Sequence, residues 1–385
     1  MSQTKAQLIS GTTAQDLTVD NINATSINSG QPSGRRNIII NGAMKVAQRG
    51  TSSTDAGYAT VDRMTSSQQG LDEATTYSQV DVSSGTTPYT NGFRKAFKIQ
   101  NGNQTGGAGA ADFIEAIYKI EAQDIANSGW NYTSSSSFVT LSFWCKSSVS
   151  QNFFFFLKTS DGTAKQYPFQ TGSLSADTWT KITKTIPGNS GLQFDNDNGE
   201  GLRIDFPVFY GTDKTNNSAT VDQWANYNGA ARTPDHTSTW YTTNDATFEI
   251  TGLQLEVGST ATDFEHRSFQ EELQLCKRYF QKMTRVSQEV FCTGYYESDT
   301  IGRHALQLPV TMRTDPTITF SAASTFTNIY TGSLTSGTSI GIINTSPESV
   351  FTTLTVAAGG GSDGQANLLG AQNSQTATIS IDAEL

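Results

Sequence analysis

The chain has three histidines, His236, His266 and His304, as candidate bases for a nucleophile. A GxSxG elbow, which would present a catalytic serine, is absent. His236 sits in the polar run Thr233-Pro234-Asp235-His236, and His266 lies between Glu265 and Arg267, where ion pairing or capping is the simpler role. Carboxylates gather at Asp195, Asp197 and Glu200 and at Asp72-Glu73. Neither group belongs to a repeat of fixed period, the setting expected of a depolymerising solenoid. The expectation is therefore a protein that is not an enzyme. Asp195-Asn196-Asp197-Asn198-Gly199-Glu200 alternates oxygen ligands with a turn glycine, like part of a calcium loop, but lacks the full EF-hand spacing. A solvated turn is expected there, with a structural calcium at Asp195 and Asp197 as the alternative and no other cofactor. NGNQTGGAG (101–109) lacks the Lys-Ser/Thr of a phosphate cradle and reads as a loop.

Exposed aromatics are the better binding candidates. Trp224, Tyr227, Trp240 and Tyr241 all fall in the polar segment 211–245. A flat ring beside Asn or Asp can stack on a sugar while the amides bond its hydroxyls. These four residues are the predicted glycan contacts; the alternative is that they cover an edge of the core. Trp130, Trp144 and Trp179 sit in or beside strands and read as core. Cys145, Cys276 and Cys292 each have apolar neighbours and are too scattered for a disulfide framework or zinc site.

Only 16% of the residues are charged, and the net charge is −10. That balance disfavours a nucleic-acid binder, which would carry a basic stripe. No segment approaches the roughly 20 apolar residues of a membrane helix, and residues 1–10 lack the apolar centre of a secretory signal. Synthesis in a cytoplasm is expected, with neither nucleic acid nor membrane as a partner.

The elements that must carry the candidate residues are mostly short strands. Residues 1–36 form a leader and linker in which Leu17, Val19, Ile22 and Ile27 supply half-buried strand positions too few to build a core alone. From 37 to 267, β-branched and aromatic runs alternate with Gly/Asn/Asp turns, predicting a jelly-roll β-sandwich. One helix is predicted within it, over 112–126, from the spacing of Phe113, Ile114, Ile117, Ile120 and Ile125. Ser268-Phe269-Gln270-Glu271 reads as a capping box opening a helix over 268–283. Phe269, Leu273, Cys276, Phe280 and Met283 follow at intervals of four and three, a heptad seam suited to partner helices. Two heptads need support from flanking domains. Residues 284–385 predict a small β-sandwich. The expected class is thus all-β with one or two helices.

Several strings resemble bacteriophage tail-fibre and virion-appendage proteins whose jelly roll is like a carbohydrate-binding module, those of cyanophages and other aquatic phages among them. NIIINGAMKVAQRGTS (37–52) with TVDRM (60–64) is similar to the opening of that module, Met64 replacing the usual aromatic. VTLSFWCKSS (139–148) resembles its central strand, and ITGLQLEVGSTATDFEHRSFQEELQLCKRYFQK (250–282) its closing strand and the helix beyond. TMRTDPTITF (311–320) resembles a stretch of the small terminal β domain. The resemblance implies a virion-surface homotrimer. Residues 1–30 would dock on another virion protein, the helix seam would join three copies, and the jelly roll would meet a host-surface glycan. The alternative is a capsid or collar appendage with a structural role and no glycan binding.

Overall fold

The computed structural model describes residues 35–330, 333–357 and 361–385. The proposed anchor residues Leu17, Val19, Ile22 and Ile27 lie outside them. The chain divides into two compact units, one ending at Phe269 and one beginning at Gln270.

The first unit contains, in chain order, β1 (Ser52–Ser53), β2 (Met64–Gln69), β3 (Thr76–Asp81), α1 (Thr87–Thr90), β4 (Lys95–Gln100), β5 (Phe113–Glu121) and α2 (Ala122–Ala126). It continues with β6 (Phe138–Ser147), β7 (Asn152–Thr159), β8 (Lys165–Ser173), β9 (Thr180–Pro187), β10 (Glu200–Tyr210), β11 (Ala225–Asn226) and β12 (Thr247–Val257). These strands form two six-stranded antiparallel sheets, in the orders β9-β6-β12-β4-β3-β1 and β11-β8-β7-β10-β5-β2. The fold is an all-β sandwich of jelly-roll type. Alternation decides which side chains meet between the sheets. Phe143 and Phe248 from the first sheet face Phe153, Phe155, Phe169 and Phe206 from the second. Phe155 lies at the centre, its ring centroid 5.2 Å from Phe206, 5.8 Å from Phe248 and 5.9 Å from Phe169.

Residues 113–121 form a strand where the sequence predicts a helix. Ile114, Ala116, Tyr118 and Ile120 all enter the core at a period of two. The 3.6-residue reading leaves out Ala116 and Tyr118, and β-branched isoleucines favour the strand once β10 and β2 flank it. Only Ala122–Ala126 is helical.

The start of the described chain is tied to the end of this unit. Asn37 is buried; its amide donates to the Leu253 carbonyl at 3.1 Å, and its Oδ1 accepts the N–H groups of Ile39 and Leu255, each at 3.0 Å. The Arg267 guanidinium donates to the carbonyls of Ile39 and Asn37 and to Glu265 Oε2. Glu265 in turn accepts the Asn37 backbone N–H. Asn41, at φ 60°, bonds the Val46 and Asp62 carbonyls through its amide. A Cβ at Gly42 would stand 2.0 Å from the Leu253 oxygen, so only glycine fits.

The second unit opens with α3 (Phe269–Cys276), which begins at the boundary, followed by β13 (Phe280–Val286), β14 (Val290–Ser298), β15 (Ile301–Gln307) and β16 (Thr317–Phe320). Then come β17 (Phe326–Tyr330), β18 (Ser333–Ser346), β19 (Ser349–Val356), β20 (Ala366–Ala371) and β21 (Thr376–Asp382). Strands β14-β15-β19-β18-β17-β20 close into a barrel, and β13-β21-β16 form a separate three-stranded sheet. The unit is therefore a barrel with an added sheet, not the expected small sandwich. The predicted helix over 268–283 is also shorter. It stops at Cys276, and Phe280 and Met283 pair in β13 with Asp382 and Ile379 of β21. Cys276 and Phe280 are buried. The heptad seam is thus broken by the sheet, and Phe269, 57% exposed, is its one strongly exposed member.

Inside the barrel, alternation brings His304, Asn328, Asn367, Thr352 and Tyr296 inward with Leu306, Phe326, Leu354 and Leu369. The polar side-chain atoms of these five have no well-formed hydrogen bond within the protein. Burial pushes the His304 pKa down to about 4, against the pull of the facing Asn328 and Asn367 side chains.

Two outcomes follow from these buried polar groups. Asn37→Ala strands one carbonyl and two N–H groups, and should lower unfolding free energy by on the order of 3 kcal/mol in a denaturant titration. His304 binds its proton more readily when unfolded, at 6.5, than when folded, at about 4. The second unit should therefore hold full stability above pH 6.5 and lose up to about 3 kcal/mol as pH falls toward 4. Denaturant midpoints across that range check it; a flat profile would contradict it.

Candidate functional site

The outer face of the first sheet bears a cleft of about 490 Å³, within the usual range for small-molecule sites. Three parts of the chain build it. Strand β6 alternates, so while Phe143 and Cys145 enter the core, Ser142 and Trp144 face outward. Lys181 on β9 is the direct cross-strand partner of Trp144 and lines the same wall. The turn after α1 supplies Asn91, Gly92 and Phe93, and the returning segment 262–266 supplies Thr262, Asp263, Phe264 and His266.

An aromatic group makes the opposite wall. Phe93 and Phe264 meet edge to face with centroids 4.9 Å apart, and the His266 ring lies 4.9 Å from Phe264 and 5.2 Å from Phe93. His266 Nε2 is 2.8 Å from the Asn91 carbonyl oxygen, which fixes the ring. Gly252 sits at φ +65°, and a Cβ there would fall 2.6 Å from the Phe93 ring. That glycine, at the irregularity between Thr251 and Gln254 in β12, gives Phe93 its place. Beneath the rings, Ala43, Val82, Phe93 and Ala96 form a small second core against which Trp144, Trp179, Tyr89 and Phe264 pack. Lys146 lies 5.2 Å from the Trp179 ring and 2.9 Å from Glu249.

The arrangement sets half-buried ring faces beside hydroxyl, amide, ammonium and carboxylate groups, so it can offer a ligand both stacking and hydrogen bonds. Asp263 is the single carboxylate among the lining residues.

The aromatics singled out from sequence lie elsewhere. Trp240 and Tyr241 are buried, at 0% and 1% exposure, and cannot stack on a ligand. Trp240 Nε1 donates to the Thr247 carbonyl at 3.1 Å, and Tyr241 packs on Phe209 at 4.1 Å. Trp224 is half-buried against Tyr167, its Nε1 bonded to the Pro187 carbonyl at 2.7 Å. The Tyr227 ring faces Lys158. None of the four lines the cleft. The chain's Gly/Asn/Thr-rich stretch folds over the sandwich, so its polar flanks hid the buried rings. Trp144 and Trp179, read as core, are half-buried on the outer face instead. The signal for Trp144 was the period of two in VTLSFWCKSS, which sets it opposite Phe143.

The acidic loop turns its carboxylates on itself. Asp195 Oδ1 accepts from Gln193, and Asp197 Oδ1 accepts the Gly199 N–H at 2.9 Å. Among the described residues, no three His, Cys, Asp or Glu side chains gather into a metal-binding group, and no helix is long and apolar enough to cross a membrane.

No family model matches the chain, and no curated protein matches it. Solved structures that are similar include the enzymatically active domain of tailspike protein 4 of bacteriophage CBA120, at 8% identity and a TM-score of 0.30. That match covers 57% of this chain and 21% of the tailspike domain, so the chain spans about a fifth of it. The N-terminal cellulose-binding domain of Cellulomonas fimi β-1,4-glucanase C is similar at 10% identity and a TM-score of 0.26, over 56% of this chain and 99% of its own. A family 11 carbohydrate-binding module of Clostridium thermocellum, solved with a β-1,3-1,4-mixed-linked tetrasaccharide, is similar at 13% identity and a TM-score of 0.25, over 52% and 91%. With TM-scores this low, none of the three assigns a function to this chain.

Proposed function

We propose that the protein is a virion structural protein, a homotrimeric phage tail fibre that contacts the host cell through surface glycans and acts by binding, not catalysis. One observation carries the adhesive part: the cleft in which Trp144 and Phe264 sit beside Asn91, Thr262, Asp263, Lys181 and His266. A single lining carboxylate supports binding over cleavage, because glycoside hydrolysis needs a pair flanking the bond. The virion part rests on the resemblance of 37–52, 60–64 and 250–282 to tail-fibre modules. Docking through residues 1–30 and assembly into a trimer belong to the same reading, with Phe269 offering exposed apolar surface for self-association.

Titration with host-derived surface polysaccharide tests the cleft. Trp144→Ala should weaken binding about tenfold or more, as loss of a ring contact worth about 1.4 kcal/mol would do. Trp224→Phe, outside the cleft, should leave it unchanged. An intact fold that binds no polysaccharide would favour the capsid or collar appendage instead, and release of reducing ends would overturn the non-catalytic reading. Sedimentation equilibrium at micromolar concentration should return three times the chain mass; a single-chain mass would remove the trimer.

A further inference from the structure

The outer face of the second sheet holds a row of cations apart from the cleft. Lys119 on β5 and Lys158 on β7 are both direct cross-strand partners of Arg203 on β10. All three point away from the core, since their neighbours Tyr118, Ile120, Leu157, Leu202 and Ile204 enter it. Like charges placed directly opposite destabilise a sheet, and this chain carries only 25 cations against 35 carboxylates.

The counter-charge within the protein is incomplete. Lys119 Nζ pairs with Glu200 at 3.1 Å, and Arg203 Nε with Asp205 at 2.9 Å. Lys158 has no carboxylate at ion-pair distance among the described residues; its Nζ lies 4.7 Å from the Tyr227 ring centroid. Burial, then the charge of Arg203, lowers the Lys158 pKa. Asp205 is fully buried, its Oδ1 has no hydrogen-bond partner, and burial holds its carboxyl above the usual range against the pull of Arg203. Two further cations, Arg232 and Lys214, lie close enough to act on Glu115 of β5, a buried carboxyl that burial also raises.

We propose that the row Lys119–Arg203–Lys158, flanked by Tyr227, binds an anionic substituent of a glycan: a uronic acid carboxylate or a sulfate ester. The choice of a glycan rests on the adhesive reading above, but the site does not use the cleft. The rim ammonium of Lys158 supplies the unpaired charge, and the cross-strand spacing presents three cations along a line that a repeating acidic polymer can follow.

Calorimetric titration of the full chain tests it with three probes of similar length: an oligogalacturonate, a sulfated gluco-oligosaccharide and a neutral gluco-oligosaccharide. At least one acidic probe should bind more tightly than the neutral one, and that affinity should fall about tenfold when salt is raised roughly tenfold. Lys158→Gln should weaken the acidic probe about tenfold without affecting the neutral one, and Lys158→Arg should restore it. Inorganic sulfate should displace either acidic probe, since one row of cations would hold both; the tighter of the two acidic probes assigns the carboxylate or the ester, and failure of sulfate to displace either would count against the row. Equal binding of acidic and neutral probes, or no response to Lys158→Gln in a folded protein, would overturn the proposal. In that event, neutral binding that still depends on Trp144 would leave the cleft standing and remove only the cationic site.

Discussion

The buried knot of Asn37, Glu265 and Arg267 is the interaction on which the first unit depends. A guanidinium and an amide out of water are tolerable only when their hydrogen bonds are met, and here they are met by backbone from both ends of the unit. The Asn37 amide and Oδ1 reach Leu253 and Leu255 in β12, while Arg267 reaches back to Asn37 and Ile39. The same knot sets the return segment over the outer face of β12. There Gln254 and Glu256, both buried, bind Glu265 and Thr262 through their side chains. Phe264 lies between those tethers and His266 between Glu265 and Arg267, and the two rings form one wall of the cleft. The contacts that tie the two ends of the unit together therefore also place this wall of the cleft.

The two outer faces use opposite means. On the first sheet, a glycine at positive φ admits Phe93 and a small apolar layer holds ring faces half-exposed. On the second, charge is concentrated over buried carboxylates, with cations lying over aromatic rings at Lys158–Tyr227 and Lys214–Phe113. The all-apolar layer between them lets each face be shaped independently. Substitutions on either outer face can change its chemistry while Phe143, Phe155, Phe206 and Phe248 keep the core.

Much of this was legible in the residues, and the failures have specific causes. The strings 37–52, 60–64 and 250–267 look unrelated along the chain, yet they supply the knot and its surroundings: Asn37, Asn41, Asp62, Glu265 and Arg267. The strand over 113–121 was misread because isoleucines at 114, 117 and 120 satisfy a helical period, and nothing local reveals that β10 and β2 lie on either side. The heptad seam failed similarly. Its spacing ran through Phe280 and Met283, but pairing with the distant β21 drew both into a sheet. Two of the glycan candidates, Trp240 and Tyr241, are ruled out because their rings complete the core, which their polar flanks concealed. The polar centre of the barrel, around His304, required five strands to converge and left no local trace.

Five tryptophans give the protein five indole N–H resonances, and they lie in different surroundings. Following those resonances by NMR while host polysaccharide fragments are added tests the proposed adhesive role of the cleft most directly. The account requires the Trp144 signal to shift and saturate while buried Trp240 and Trp130 stay fixed. Saturable binding that moves Trp224 and leaves Trp144 untouched would place recognition elsewhere and contradict it.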